Sequence, residues 1–489
     1  MPVEAGRLRA QAADCARRGD HTGAVVVLRK ALSMQPDDAD LLAELADALR
    51  GIDDLQGAIA VCRAATERAP KAKTAWYQLA RALVSGVHAD AAKLAFERAL
   101  TLDPDYAQAR GGLGDLLRSL GDLDGAVACY RACLRDRDYA PRAWFQLANL
   151  KTEPLTAQDV AALRALHEDR RLRDADRVFV GYAFARALED QDLYRAAFST
   201  LIATNQIARR HAKWDAAAFT RTIAAIDAAF KQPLATAAPA AQGREVIFLV
   251  SMPRSGSTLV AQIVSAHPQV DGNGGELPDL EAVLIAESNR RRCAFPEWVA
   301  QATPDDWRRL GEDYLARTAR WHNDKPRFTD KALANWPLVG AAAAMLPGAR
   351  FIDCRRDRLE TCLACFRQLF AFGTYYSYDL DELASYWHDY DHLLHAWHAR
   401  LPGRVVELTH EELLRDQEGQ TRRLLDFLEL PFDPACLEFH RSDRQVRTFS
   451  AAQVRQPLQA DTARAHRYGA ALQPLREALA RAGSQRQSR

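Results

Sequence analysis

The 489-residue sequence has no apolar run approaching the ~20 residues that span a bilayer. Its opening stretch, MPVEAGRLRAQAADCARRGD, lacks the apolar core that a secretory signal requires. A cytoplasmic protein without a membrane span is therefore expected. The nine cysteines are scattered and do not form the framework of a small disulfide-stapled domain. Charge of one sign is also missing: 65 Lys and Arg against 64 Asp and Glu leave +1. Electrostatic binding of nucleic acid is thereby disfavoured, although a local basic cleft stays open. The Walker pattern GxxxxGK[ST] does not occur. What is present, 48% hydrophobic and 26% charged residues, describes an ordinary globular chain long enough for two or three domains.

The first third repeats with a 34-residue period. Pro36, Pro70 and Pro104 keep that spacing, with Asp138 in the fourth place. Ala24, Ala58, Ala92 and Ala126 share the register, as do Leu45, Leu79, Leu113 and Leu147. Ala46, Ala80, Gly114 and Ala148 follow one residue later. Small residues let antiparallel helices approach, leucines fill the space between them, and proline ends each second helix. This pattern resembles the tetratricopeptide repeat and implies an α-helical solenoid over 1–152. Such surfaces bind peptides or partner proteins, but bracing or dimerisation is an equal alternative. Residues 153–232 read as a helical connector or capping region, with Leu188–Leu201 similar to a decayed repeat. The segment PLATAAPAAQG (233–243) has no periodicity and reads as the linker at the domain boundary.

After it comes EVIFLVS (245–251), an apolar, β-branched run suited to a strand buried on both faces of a parallel sheet. PRSGST then precedes Leu259, Val260, Ile263 and Val264 at helical spacing. A turn between strand and helix presents backbone N–H groups and the helix dipole to an anion. Gly256 would let the backbone wrap a phosphate, Ser255, Ser257 and Thr258 offer hydroxyls, and Arg254 offers charge. For this turn alone, a tight strand–helix connection without a ligand is the alternative to the anion site.

PRSGST behind a hydrophobic strand resembles the 5′-phosphosulfate loop of the sulfotransferase superfamily, above all its protein-tyrosine and bacterial repeat-fused members. Four further segments follow in the order that family uses. HPQVDGNGGELP (267–278) matches with Glu276 in the place of the family's base. RFTDKALANWP (327–337) matches with Lys331, which would stabilise charge on the leaving phosphate. ARFIDCRRDRLETCLACFRQLF (349–370) resembles the 3′-phosphate segment, with Arg356 as its arginine. The family's serine eight residues on is Ala364 here, and Thr361 or Arg367 are the groups nearby that could compensate. FSAAQVRQPLQADTARAHRY (449–468) is similar to the loop covering the donor: Ser450 takes the transition-state serine position, and Gln453, Arg455 and Arg464 are donor contacts. His410 stands where relatives carry tyrosine.

The resemblance covers 244–475 and implies an α/β, P-loop-like sulfotransferase domain with a mostly parallel sheet. It further implies a sulfuryl transferase that uses 3′-phosphoadenosine 5′-phosphosulfate (PAPS) as co-substrate and requires no metal. Acceptors compatible with it are a tyrosyl peptide, a sugar hydroxyl or a lipid-linked glycan, the repeats leaning towards a protein or peptide. Ala364 and His410 keep a second reading open, a non-catalytic repeat scaffold with a degenerate nucleotide-binding domain. A nucleotide-dependent kinase on a related fold is disfavoured by the missing Lys-Ser/Thr. Cys362 and Cys365 form a CxxC without a second pair, so buried small side chains are expected there. His388, His392 and His395 share a helix face near His398 and are read as a half-solvated helix surface.

Overall fold

The computed structural model describes all residues except 1, 37, 53, 87, 151–153, 273–274, 322–324, 371–372, 442–457, 459–462 and 488–489. The chain forms two compact units, Met1–Pro154 and Leu155–Arg489.

The first unit is all helical. Among the described residues nine helices run from Pro2–Arg17 to Ala140–Leu150, each packed on its neighbours. The register alanines Ala24, Ala58, Ala92 and Ala126 are buried, and Leu45, Leu79, Leu113 and Leu147 fill the spaces between helices. Pro36, Pro70 and Pro104 each follow the end of a second helix (His21–Met34, Leu55–Arg68, Ala89–Leu102). The same period sets the caps: Asp20, Asp54 and Asp122 accept from the N–H of Gly23, Gly57 and Gly125.

The second unit begins with four helices, Ala157–Glu168, Asp174–Asp190, Tyr194–His211 and Ala216–Ala229. A five-stranded sheet follows: β1 (Val246–Val250), β2 (Val270–Asp271), β3 (Arg327–Asp330), β4 (Arg350–Arg355) and β5 (Val405–Thr409). Its order is β2-β3-β1-β4-β5 and every pairing is parallel, with Ile247 opposite Thr329 on one side and Arg350 on the other. β1 is central and wholly buried, which is why it is continuously apolar. One core face packs Ile247, Leu249, Ile263, Val264 and Ile352 against Leu424 and Leu428.

The boundary between compact units thus lies upstream of the segment read as a linker. The four helices at 157–229 belong with the sheet: Arg209 pairs with Glu382 at 2.8 Å, Arg400 with Asp227 at 2.7 Å, and Thr220 donates to Asp389 at 2.7 Å. Residues 233–243 hold no helix or strand, but they are packed down. Gln242 donates to the carbonyls of Met345 and Arg308 at 3.0 and 3.2 Å, and its own carbonyl accepts from Gly348.

Candidate active site

Because all five strands are parallel, their carboxyl ends share one edge of the sheet. Every one of them runs into a residue singled out by the sequence. β1 leads to Arg254–Thr258, β2 to Glu276, β3 to Lys331, β4 to Arg356 and β5 to His410. The chain leaves β1 towards β2 and β3 but leaves β4 towards β5, so the strand order reverses between β1 and β4. In open parallel sheets that point opens a crevice for ligands.

The loop after β1 is shaped by two backbone conformations. Arg254 has φ +69 and Gly256 φ +91, and Gly256 caps the nine-residue helix Ser257–Ser265. The second position demands glycine, since a Cβ there would lie 2.7 Å from the His410 ring Nδ1. His410 therefore lies against the loop. Burial and the Arg356 guanidinium hold its imidazole down to about 4, so it is neutral near pH 7. Burial, with Arg356 and Arg367 alongside, also holds the Arg254 guanidinium below the ordinary arginine value. The Cys365 thiol donates to the Pro253 carbonyl at 3.3 Å and ties the helix after β4 to this loop.

The ends of β2 and β3 meet. The Lys331 N–H donates to the Gly275 carbonyl at 2.9 Å, and its ammonium lies 3.1 Å from the Glu276 carboxylate. The lysine is 7% exposed and the glutamate 58%, so the carboxylate is open to solvent while the cation is buried. Asp271 and Asp279, the neighbouring carboxylates, are buried, and Asp279 is committed to Arg320 at 3.0 Å. Asp330, just before the lysine, accepts from Tyr314 at 2.8 Å and from the Ala332 N–H at 3.0 Å. Burial raises its carboxyl to about 7.

At the end of β4, the two adjacent arginines part. Arg355 is bound by Asp353 at 2.7 Å, Asp391 at 2.6 Å and Glu407 at 3.2 Å, a structural assignment. Arg356 lies 3.4 Å from Glu360, one turn into helix Arg358–Phe366. Glu360 also accepts from the backbone N–H groups of Arg464 and Ala465 at 2.9 and 2.7 Å. Thr361 donates back to the Arg356 carbonyl at 3.4 Å, and Arg367 is held by Glu189. Glu360 and Glu189 were missed by sequence reasoning. The i,i+4 spacing from Arg356 could have flagged the first, whereas nothing in the sequence connects Glu189 to Arg367. Ser450, Gln453 and Arg455 lie outside the described residues.

The histidines at 388–398 do not converge. His388 meets the Leu479 carbonyl, His395 the Asp391 carbonyl, and His392 Asp227 at 3.8 Å. His398 joins Asp353 and Glu407 in a trio whose donor atoms approach within 4.8 Å of one another. The Arg355 guanidinium already bonds both carboxylates of that trio. Cys362 and Cys365 are buried free thiols.

The carboxyl edge of an open parallel sheet, carrying the loop after β1 and the Glu276–Lys331 pair, defines an α/β domain with a candidate ligand crevice. Residues 246–434 match the Sulfotransferase family, and 16–83 and 74–149 match tetratricopeptide repeats. The chain thus carries a sulfotransferase-family domain behind tetratricopeptide repeats. An uncharacterized Aquifex aeolicus protein is 28% identical over 378 residues, 74% of this chain. The present chain spans about half of that relative, 49% of its length. A Caenorhabditis briggsae protein named "Putative protein-tyrosine sulfotransferase" is 23% identical over 222 residues, 44% of this chain and 78% of that one. Among solved structures, the sulfotransferase domain from the curacin biosynthetic pathway aligns with 52% of this chain and 98% of its own, at 17% identity and a TM-score of 0.30. Among the described residues no helix is long and apolar enough to cross a membrane.

Proposed function

We propose that the second unit moves a sulfuryl group from PAPS to a hydroxyl acceptor and releases 3′,5′-ADP. The observation that carries this reading is the Glu276–Lys331 pair, 3.1 Å apart, at the carboxyl edge of the sheet that also carries the loop after β1. In this reading the loop N–H groups and the hydroxyls of Ser255, Ser257 and Thr258 hold the 5′-phosphosulfate with Arg254. The acceptor oxygen attacks sulfur in line, its proton passes to a Glu276 carboxylate oxygen, and the bond from sulfur to the bridging oxygen breaks. Lys331 offsets the charge left on the 5′-phosphate, assisted by Ser450. Arg356 meets the 3′-phosphate, and Gln453, Arg455 and Arg464 complete the donor site. As in phosphoryl transfer, positioning and electrostatics supply most of the rate, and no step calls for a metal.

A protein or peptide acceptor, offering a tyrosyl hydroxyl, is favoured by the repeat unit and by the name of the C. briggsae relative. A cytoplasmic location belongs to the same proposal and agrees with nine free thiols. The test is incubation with sulfur-labelled PAPS and a tyrosine-bearing peptide library, reading sulfated product and 3′,5′-ADP by mass spectrometry. Tight 3′,5′-ADP binding with no product from peptide, sugar or glycan acceptors would select the non-catalytic scaffold instead.

A further inference from the structure

Helix Ala216–Ala229 ends before residue 246, where the match to the sulfotransferase family begins, yet aromatic contacts from both of its ends lead to the segment that follows Lys331. That segment has little slack. The Ala332 N–H donates to Asp330 at 3.0 Å, the Asn335 N–H donates to the Ala332 carbonyl at 2.9 Å, and the chain runs into the 3₁₀ turn Leu333–Leu338. Trp336 lies in this turn, fully buried, and is held at two points. Its indole N–H donates to the Tyr386 hydroxyl, and its carbonyl accepts from the indole N–H of Trp397, each at 3.0 Å. Both partners come from helix Leu380–Arg400.

Helix Ala216–Ala229 touches each partner in turn. Near its start, the Phe219 ring stacks on Tyr386 at 4.8 Å and 17°, with Tyr376 also stacked on Tyr386 at 3.6 Å. Phe219 meets Trp336 itself edge-on at 6.0 Å. At the far end, Phe230 packs edge-on against Trp397 with ring centres 5.7 Å apart. Gly340 admits that contact, since a Cβ there would lie 2.6 Å from Trp397 and 2.8 Å from Phe230. Thr220 donates to Asp389 and Arg400 donates to Asp227, both at 2.7 Å, so polar bonds tie the same two helices together. Hydrophobic burial is non-directional, whereas the two indole hydrogen bonds fix where residue 336 lies.

We infer that Phe219 and Phe230 make helix Ala216–Ala229 a positioning element for Lys331, setting its ammonium through Tyr386, Trp397 and Trp336. The inference rests on the donor reading above, in which that ammonium meets the 5′-phosphate. Packing that stabilises the fold without bearing on Lys331 is the competing role.

A double-mutant cycle on the full chain tells these roles apart, read as 3′,5′-ADP affinity by calorimetry, because that nucleotide keeps the 5′-phosphate. Phe219→Leu removes the stacked ring. Tyr386→Phe keeps its ring and removes the acceptor of the Trp336 N–H. Each should weaken 3′,5′-ADP by about three- to tenfold in the parent chain, and by less than about twofold in a Lys331→Ala background, where no ammonium remains to be misplaced. Phe219→Tyr keeps the ring and should bind within about twofold of the parent. Urea unfolding checks that each variant is folded under the titration conditions, and if Phe219→Leu is not, Tyr386→Phe decides. Equal losses in both backgrounds, no loss in the parent, or a loss in Phe219→Tyr as large as in Phe219→Leu overturn the inference and leave the donor reading standing. An unchanged affinity in Lys331→Ala overturns it too, because the lysine then does not meet the donor. Wild-type protein that binds no 3′,5′-ADP defeats the donor reading and this inference with it.

Discussion

The Lys331 ammonium lies 3.1 Å from the Glu276 carboxylate, across the carboxyl ends of adjacent strands, and the backbone of the same lysine is bonded to Gly275. The pair is asymmetric: the cation is buried and the anion largely exposed. In the proposed reading the exposed carboxylate takes a proton from a docking hydroxyl and the buried ammonium meets the donor. Glu276→Gln keeps the shape and removes the proton acceptor, so kcat should fall on the order of 10²–10⁴-fold with 3′,5′-ADP affinity nearly unchanged. Lys331→Ala should reduce rate and donor affinity together, since its charge also meets the ground-state donor. Near-normal turnover in Glu276→Gln removes it as base. Asp279, held by Arg320, and Asp271, buried in β2, are then the remaining nearby carboxylates.

Gly256 is constrained twice, by its φ of +91 and by His410 at 2.7 Å from where a Cβ would stand. Gly256→Ala should lower stability by about 1–3 kcal/mol and weaken binding of inorganic pyrophosphate and 3′,5′-ADP alike. Adding His410→Ala removes the clash but not the backbone strain, so recovery should be partial. Full recovery in the double variant would show that the φ at this position carries no cost.

Ala364 gives an independent measure of the 3′-phosphate segment. A serine introduced there on the otherwise unchanged chain should tighten 3′,5′-ADP by ~1 kcal/mol, roughly fivefold, and leave 5′-AMP alone. Isothermal titration decides it. No change would mean that the position does not face the 3′-phosphate.

Legibility differed by kind of contact. The solenoid was readable because Ala24, Ala58, Ala92 and Ala126 repeat one packing problem, each buried where two helices meet. β1 was readable because burial on both faces makes Val246–Val250 continuously apolar. The candidate site residues came from the family resemblance, and the parallel sheet delivers Arg254, Glu276, Lys331, Arg356 and His410 to one edge. At 233–243 Pro, Ala and Gly read as a linker, and composition gives no sign that Gln242 bonds the carbonyls of Met345 and Arg308. Glu189 was illegible for a simpler reason. Its partner Arg367 is 178 residues away, and pairing at that distance leaves no periodic trace.

Asp330 provides the pH test. Burial raises its carboxyl to about 7 in the folded chain, with Asp279 adding to the effect, while Tyr314 and the Ala332 N–H oppose it. The ordinary value is 3.8. A folded value above the unfolded one means that the native state binds the proton more tightly. The associated stability is fully present below about 3.8, falls as pH rises, and is lost above about 7. Its ceiling is on the order of 4 kcal/mol, about 1.4 kcal/mol per unit over that interval. Asp330→Asn retains a carbonyl to accept from Ala332 and cannot ionise. The variant should therefore gain stability relative to the parent between about pH 5 and about pH 8, by roughly 2–3 kcal/mol. Urea unfolding at those two values, followed by tryptophan fluorescence, measures the difference directly. Its readout is independent of catalysis, so it also reports whether the strand end carrying Lys331 is as closely buried as the Tyr314 contact requires. A difference that stays constant with pH would mean that Asp330 is ionised throughout and that water reaches the end of β3.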